Sequence, residues 1–95
     1  MTAKKNQKSK RLGPYLRESR IRAGLSQKDV SKALGYQTGQ FISEWERGVR
    51  SPPGATLRKL VDLYEISVAE FYEVLRTEQI LRIEEDLKKA LFGTG

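Results

Sequence analysis

A chain of 95 residues holds one small domain with a modest core, and its 18 Lys and Arg against 12 Asp and Glu, net +6, favour an anionic partner. Without cysteine there is no disulfide framework or thiolate metal site, and without histidine there is no zinc, triad or histidine acid–base chemistry. No run approaches a membrane span and no apolar signal region follows the basic start, so a small intracellular binding module with no cofactor is the expectation.

Residues 1–11 have no apolar side chain beyond Met1 and Ala3 and cannot support a fold. Lys4, Lys5, Lys8, Lys10 and Arg11 make them a basic disordered tail, or an arm that follows a nucleic-acid backbone or minor groove. A first helix begins at Gly13-Pro14, where proline's missing N–H does no harm, and runs through Tyr15, Leu16 and Ile21 to Ala23 before Gly24 stops it. Ser26 caps a second helix, with Asp29 completing a capping box. Val30, Ala33 and Leu34 share one face, and Gly35 stands at the terminating position. After the turn Tyr36–Gly39, Ile42 and Trp45 resume the helical period until Gly48. The two short amphipathic helices about a glycine turn make a helix-turn-helix.

The prolines of Arg50–Gly54 exclude helix interior. A fourth helix carries Leu57, Leu60, Val61 and Tyr64 on one face, and Ser67 with Glu70 caps a fifth bearing Phe71, Val74 and Leu75. A sixth helix is predicted from Thr77 to Phe92, supported by the ordered pairs Glu78/Arg82, Glu84/Lys88 and Glu85/Lys89. Its apolar stripe of Ile80, Ile83, Leu87 and Leu91 either packs back onto the core or forms a dimer contact, and the dimer is the preferred reading. The predicted fold is all-α: a basic tail over 1–11, a compact five-helix helix-turn-helix domain over 12–75, and an amphipathic C-terminal helix within 76–95.

Charge is unevenly spread: residues 1–12 carry +5, residues 13–50 carry +3 and residues 51–95 carry −2. Phosphate would be drawn to the front half. At 100° per residue, Ile42 and Trp45 give the third helix a core face, with Phe41 at its edge. Gln40, Ser43, Glu44 and Arg47 lie opposite, beside Gln37 and Thr38 of the turn, and all six are candidates to hydrogen-bond base edges. An ordinary solvated face is the plain alternative. Candidate phosphate contacts are Ser26, Gln27 and Lys28 at the start of the second helix, with Lys32, Tyr36 and Arg50. Glu46 lies between the two faces of its helix and needs a partner where buried; Arg20 is the best candidate.

The segments RESRIRAGLSQKDVSKALG and FISEWERGVRSPPGATLRKLVDLYEISVAEFY resemble the lambda-repressor-like helix-turn-helix family, the Cro and phage-repressor type also called XRE. The resemblance covers roughly residues 12–75, through the R-x-x-x-G-L-S-Q entry, the L-G turn, I-S-x-W-E-R-G and P-x-x-x-T-L. It implies a five-helix domain that binds operators as a dimer. It also implies a DNA contact at Gln27, placement of Gln40, Ser43 and Glu44 in or beside the major groove, and an interhelical pair of Arg20 with Glu46. Ser31 departs from the family's alanine. The turn from Gly35 to Ile42 is one residue longer than in the shortest members, leaving the register of Gln37, Thr38, Gly39 and Gln40 open by one position.

The expected function is sequence-specific double-stranded DNA binding by a homodimeric transcriptional regulator on a palindromic operator, cytoplasmic and nucleoid-associated when bound. The alternative is a protein-interaction adaptor or antitoxin-type component whose C-terminal helix binds a partner protein. An enzyme is not expected, because the acids are scattered and no glycine-rich phosphate loop is present. Neither a membrane nor a small-molecule ligand is an expected partner.

Overall fold

The computed structural model describes residues 11–93, which form five helices and no strand: α1 (Leu12–Arg22), α2 (Gln27–Leu34), α3 (Gln40–Arg47), α4 (Gly54–Tyr64) and α5 (Val68–Phe92). Residues 1–10 of the expected basic tail lie outside the described residues. No described helix is long and apolar enough to cross a membrane.

The fifth and sixth helices expected from sequence are one helix of 25 residues. Ser67 caps its start, its hydroxyl accepting the Glu70 N–H at 3.1 Å, and Gly93 ends it at φ 65°. No glycine or proline falls between those caps, so nothing interrupts the hydrogen-bond ladder. At 1.5 Å per residue the helix is about 37 Å long.

Its two apolar faces do not align. Phe71, Val74 and Leu75 face the core, whereas Ile80, Ile83, Leu87 and Leu91 come roughly half a turn around the axis and are exposed, from 41% at Ile80 to 73% at Leu91. The stripe does not pack back onto its own domain.

The core is built from one face of each helix: Leu12, Tyr15 and Leu16 from α1, Val30 from α2, Ile42 and Trp45 from α3, Leu60 and Tyr64 from α4, and Phe71 and Val74 from α5. Ala33, expected beside Val30 and Leu34, is exposed at the edge of α2. Tyr15 stacks on Phe71 with ring centroids 6.0 Å apart, and its hydroxyl donates to Glu70 Oε1 at 3.1 Å. Burial, reinforced by the Glu70 charge, pushes the Tyr15 phenol up to about 12, so it stays a donor at neutral pH.

Two contacts set α1 against the rest. A Cβ at Gly13 would lie 2.5 Å from the Glu46 carbonyl oxygen, so glycine alone lets the start of α1 approach the α3 backbone this closely. At the same end, Glu78 of α5 accepts from Arg11 Nε at 3.0 Å, Arg11 Nη2 at 3.1 Å and the Leu12 N–H at 3.2 Å. One carboxylate thus supplies the first turn of α1 with a negative charge and a hydrogen-bond acceptor. Arg11, chiefly, and the Leu12 N–H hold the Glu78 carboxyl below its usual range.

Candidate nucleic-acid interface

The α2–turn–α3 unit is fixed by its polar residues. The Asp29 N–H donates to Ser26 Oγ at 2.9 Å, and the Ser26 N–H donates to Asp29 Oδ2 at 2.8 Å, closing the expected capping box. That carboxylate already occupies part of the positive end of α2, and its own acidity is raised by the Ser26 hydrogen bonds. Gly35 ends α2 at φ 88° and Gly48 ends α3 at φ 80°, conformations that favour glycine over any residue with a Cβ.

Between them, the buried Ser31 hydroxyl donates to the Thr38 carbonyl, and Thr38 Oγ1 accepts the Gln40 N–H at 3.2 Å. Serine at position 31 therefore ties α2 to the turn, a bond alanine could not make. Gly39 passes over α2 with its Cβ position 3.4 Å from the Gln27 Cβ. In the structure Gln37 and Thr38 belong to the turn, and Gln40 is the first residue of α3.

Behind the unit, Arg20 meets Glu46 in a buried bidentate pair, Nε to Oε2 at 2.6 Å and Nη2 to Oε1 at 3.0 Å. Their side chains are 10% and 3% exposed. Arg20 Nη1 also donates to the Leu25 carbonyl at 2.9 Å, so one guanidinium binds α1, the α1–α2 connection and α3. Gln27 Nε2 donates to Glu46 Oε1 at 3.0 Å, turning this half-buried side chain inward at the helix start.

Of the six base-contact candidates, Gln37, Thr38, Gln40 and Arg47 are exposed and Ser43 is half-buried. Ser43 Oγ accepts from Arg47 Nε at 3.2 Å, joining two of them along α3. Glu44 departs from expectation: it is buried, with one carboxylate oxygen taken by Gln40 and the other by Arg50. Helical periodicity placed it on the open face because periodicity sees only the helix, and Arg50 folds back over it from beyond Gly48.

Among the phosphate candidates, Ser26, Lys28, Lys32 and Arg50 are exposed. Tyr36 is half-buried, its ring 4.9 Å from Phe41 and 6.1 Å from Trp45 between centroids, so packing accounts for much of its surface. Neither the Gln27–Glu46 contact nor Glu78 at the start of α1 has a local signal in the sequence. Gly13, an unfavourable residue inside a first helical turn, was the one available signal of the α1–α3 approach. No described group of acids could hold a metal ion.

A helix-turn-helix family model matches residues 16–71. The HTH-type transcriptional regulator ImmR of Bacillus subtilis (strain 168) is 39% identical over 56 residues, which is 59% of this chain and 43% of that protein. The match thus spans less than half the length of that relative. No solved structure matches. The capped α2, the glycine turn, α3 after it and the family match, which runs from within α1 to the first turn of α5, lead to one assignment: the chain belongs to the lambda-repressor-like (XRE) family of DNA-binding helix-turn-helix domains.

Proposed function

We propose that this protein is a sequence-specific double-stranded DNA-binding transcriptional regulator that acts as a homodimer on a palindromic operator. The observation that carries the proposal is the α2–α3 unit itself. Gln37, Thr38, Gln40 and Arg47 are exposed along the turn and α3, with Ser43 between them; Lys28 and Lys32 on α2 and Arg50 just beyond α3 are exposed as well. Two amides, two hydroxyls and a guanidinium supply the donors and acceptors that base edges require. The cations and the N–H groups of Gln27 and Lys28 at the start of α2 would hold phosphate. The net +3 of residues 13–50, against −2 for residues 51–95, orients this side of the protein toward DNA.

The homodimer rests on α5. Its stripe of Ile80, Ile83, Leu87 and Leu91 faces away from the core, where a second copy can cover it without disturbing the domain. The same exposed stripe is what favours the second reading, an adaptor or antitoxin-type component that presents α5 to another protein. Sequencing the duplexes retained from a random library separates the two. Enrichment of a palindrome with half-sites about 34 Å apart supports the regulator. Binding at low salt with no enriched sequence refutes it.

A further inference from the structure

One acid on α3 does not do what its helical position suggests. Glu44 Oε2 accepts from Gln40 Nε2 at 3.1 Å, and its Oε1 accepts from Arg50 Nε at 2.7 Å. Its backbone carbonyl accepts the N–H groups of Val49 at 2.9 Å and Arg50 at 3.4 Å, so main chain as well as side chain folds this segment back onto it. The Glu44 side chain is 12% exposed and the Arg50 side chain 62% exposed. The Gln40 amide and the Arg50 guanidinium hold the Glu44 carboxyl below its usual range, which keeps it ionised at neutral pH.

We infer that Glu44 is a positioning residue for base recognition: it locks the Gln40 amide in the orientation that suits adenine and holds Arg50 beside the recognition helix. The inference rests on the proposed reading of DNA by α3. An ionised carboxylate only accepts hydrogen bonds, so the nitrogen of Gln40, not its oxygen, must face Glu44. That contact uses one of the two amide hydrogens. With the hydrogen trans to Oε1 given to Glu44, what remains is Oε1 and the N–H beside it, the donor–acceptor couple that adenine N7 and N6–H require. Guanine offers two acceptors, N7 and O6, and an amide held this way meets one of them with its own oxygen. A free glutamine could turn its amide over or present both hydrogens. With its Nε committed to Glu44, Arg50 retains its terminal nitrogens for phosphate.

The test compares duplexes selected from a random library by the wild type, Gln40→Ala, Glu44→Gln and the double variant. The wild type should select an adenine that Gln40→Ala flattens. Glu44→Gln should lower the preference for adenine over guanine at that same position by on the order of 10-fold, and the double variant should be no flatter than Gln40→Ala. Arg50→Ala should weaken binding to all duplexes alike and reduce the salt slope by about one. Altered preference in Glu44→Gln at a position that Gln40→Ala leaves intact would mean that Glu44 reads a base itself, and would overturn the inference. So would a Glu44→Gln profile identical to the wild type. A wild type that enriches no sequence removes base reading by α3 altogether, a distinct failure that takes this inference with it. Should Glu44→Gln melt early, the Gln40 side-chain amide in the free wild type carries the test. Resonances moved from their free-amide positions by a hydrogen bond support the lock, and free-amide resonances overturn it.

Discussion

Gly13→Ala tests how closely α1 and α3 are joined. The added methyl would sit 2.5 Å from the Glu46 carbonyl oxygen, 3.1 Å from the Glu46 carbonyl carbon and 3.2 Å from the Trp45 carbonyl oxygen. All three are backbone atoms at the end of α3, so no side chain can swing aside. Relieving the contact means moving one helix by roughly 1 Å within a packed core, and overpacking of this kind costs about 1–3 kcal/mol. Alanine returns at most about 1 kcal/mol of helix propensity, so the net effect should be destabilising. Each kcal/mol lowers the melting temperature of a domain this size by roughly 4–8 °C.

Gly54→Ala is the control. It too lies in a first helical turn, but nothing stands within 4 Å of its Cβ position, so it should leave stability unchanged or raise it by up to about 1 kcal/mol. Thermal and urea unfolding of both variants give the answer. A Gly13→Ala protein as stable as Gly54→Ala would refute the close approach.

Three further outcomes follow from the contacts described. Glu46→Ala leaves the buried Arg20 guanidinium without its carboxylate and should cost about 3–5 kcal/mol in urea unfolding; a loss below about 1 kcal/mol would contradict the buried pair. Glu78 has a carboxyl depressed in the folded state, chiefly by Arg11, so its contribution is complete above the ordinary value of 4.5 and fades as pH falls through the depressed one. Glu78→Gln should therefore lower stability at neutral pH and flatten its acid-side decline, and pH profiles parallel to the wild type would count against the contact. If the exposed stripe of α5 is the proposed dimer contact, Leu87→Lys should convert the dimer to a monomer in sedimentation with helicity unchanged, whereas an unaltered association state would refute that contact. A truncation of residues 77–95 would serve less well, because it also removes Glu78 from the start of α1.

The local signals in the chain were legible because they are local. The capping box of Ser26 with Asp29, the terminating Gly35 and Gly48, and the core positions Val30, Ile42 and Trp45 each depend on neighbours within a few residues. Arg20 and Glu46, 26 residues apart, could be paired because each is a charge on a partly buried face with few alternatives. The single α5 was misread for an instructive reason. Its apolar positions change phase between Leu75 and Ile80, and without glycine or proline such a change marks a helix that runs on past the core rather than a break. The hydrogen bonds of Glu44 and Gln27 were not legible because their partners, Arg50 and Glu46, come from other segments. Glu78 had an adequate local partner in Arg82, which it does meet at 3.7 Å, so nothing pointed to Arg11 across 67 residues.

The central claim is that the exposed face of α3 reads sequence while the cations around it hold phosphate. Its most direct test is the ratio of dissociation constants for a selected and a scrambled duplex, at one fixed salt concentration, for the wild type, Arg47→Ala and Lys28→Ala. The wild-type ratio should be on the order of 10³ or more. Arg47→Ala should shrink it by roughly 5-fold or more, whereas Lys28→Ala should weaken both duplexes together and leave the ratio intact. A wild-type ratio near one, or equal losses on both duplexes from Arg47→Ala, would contradict base reading by this helix.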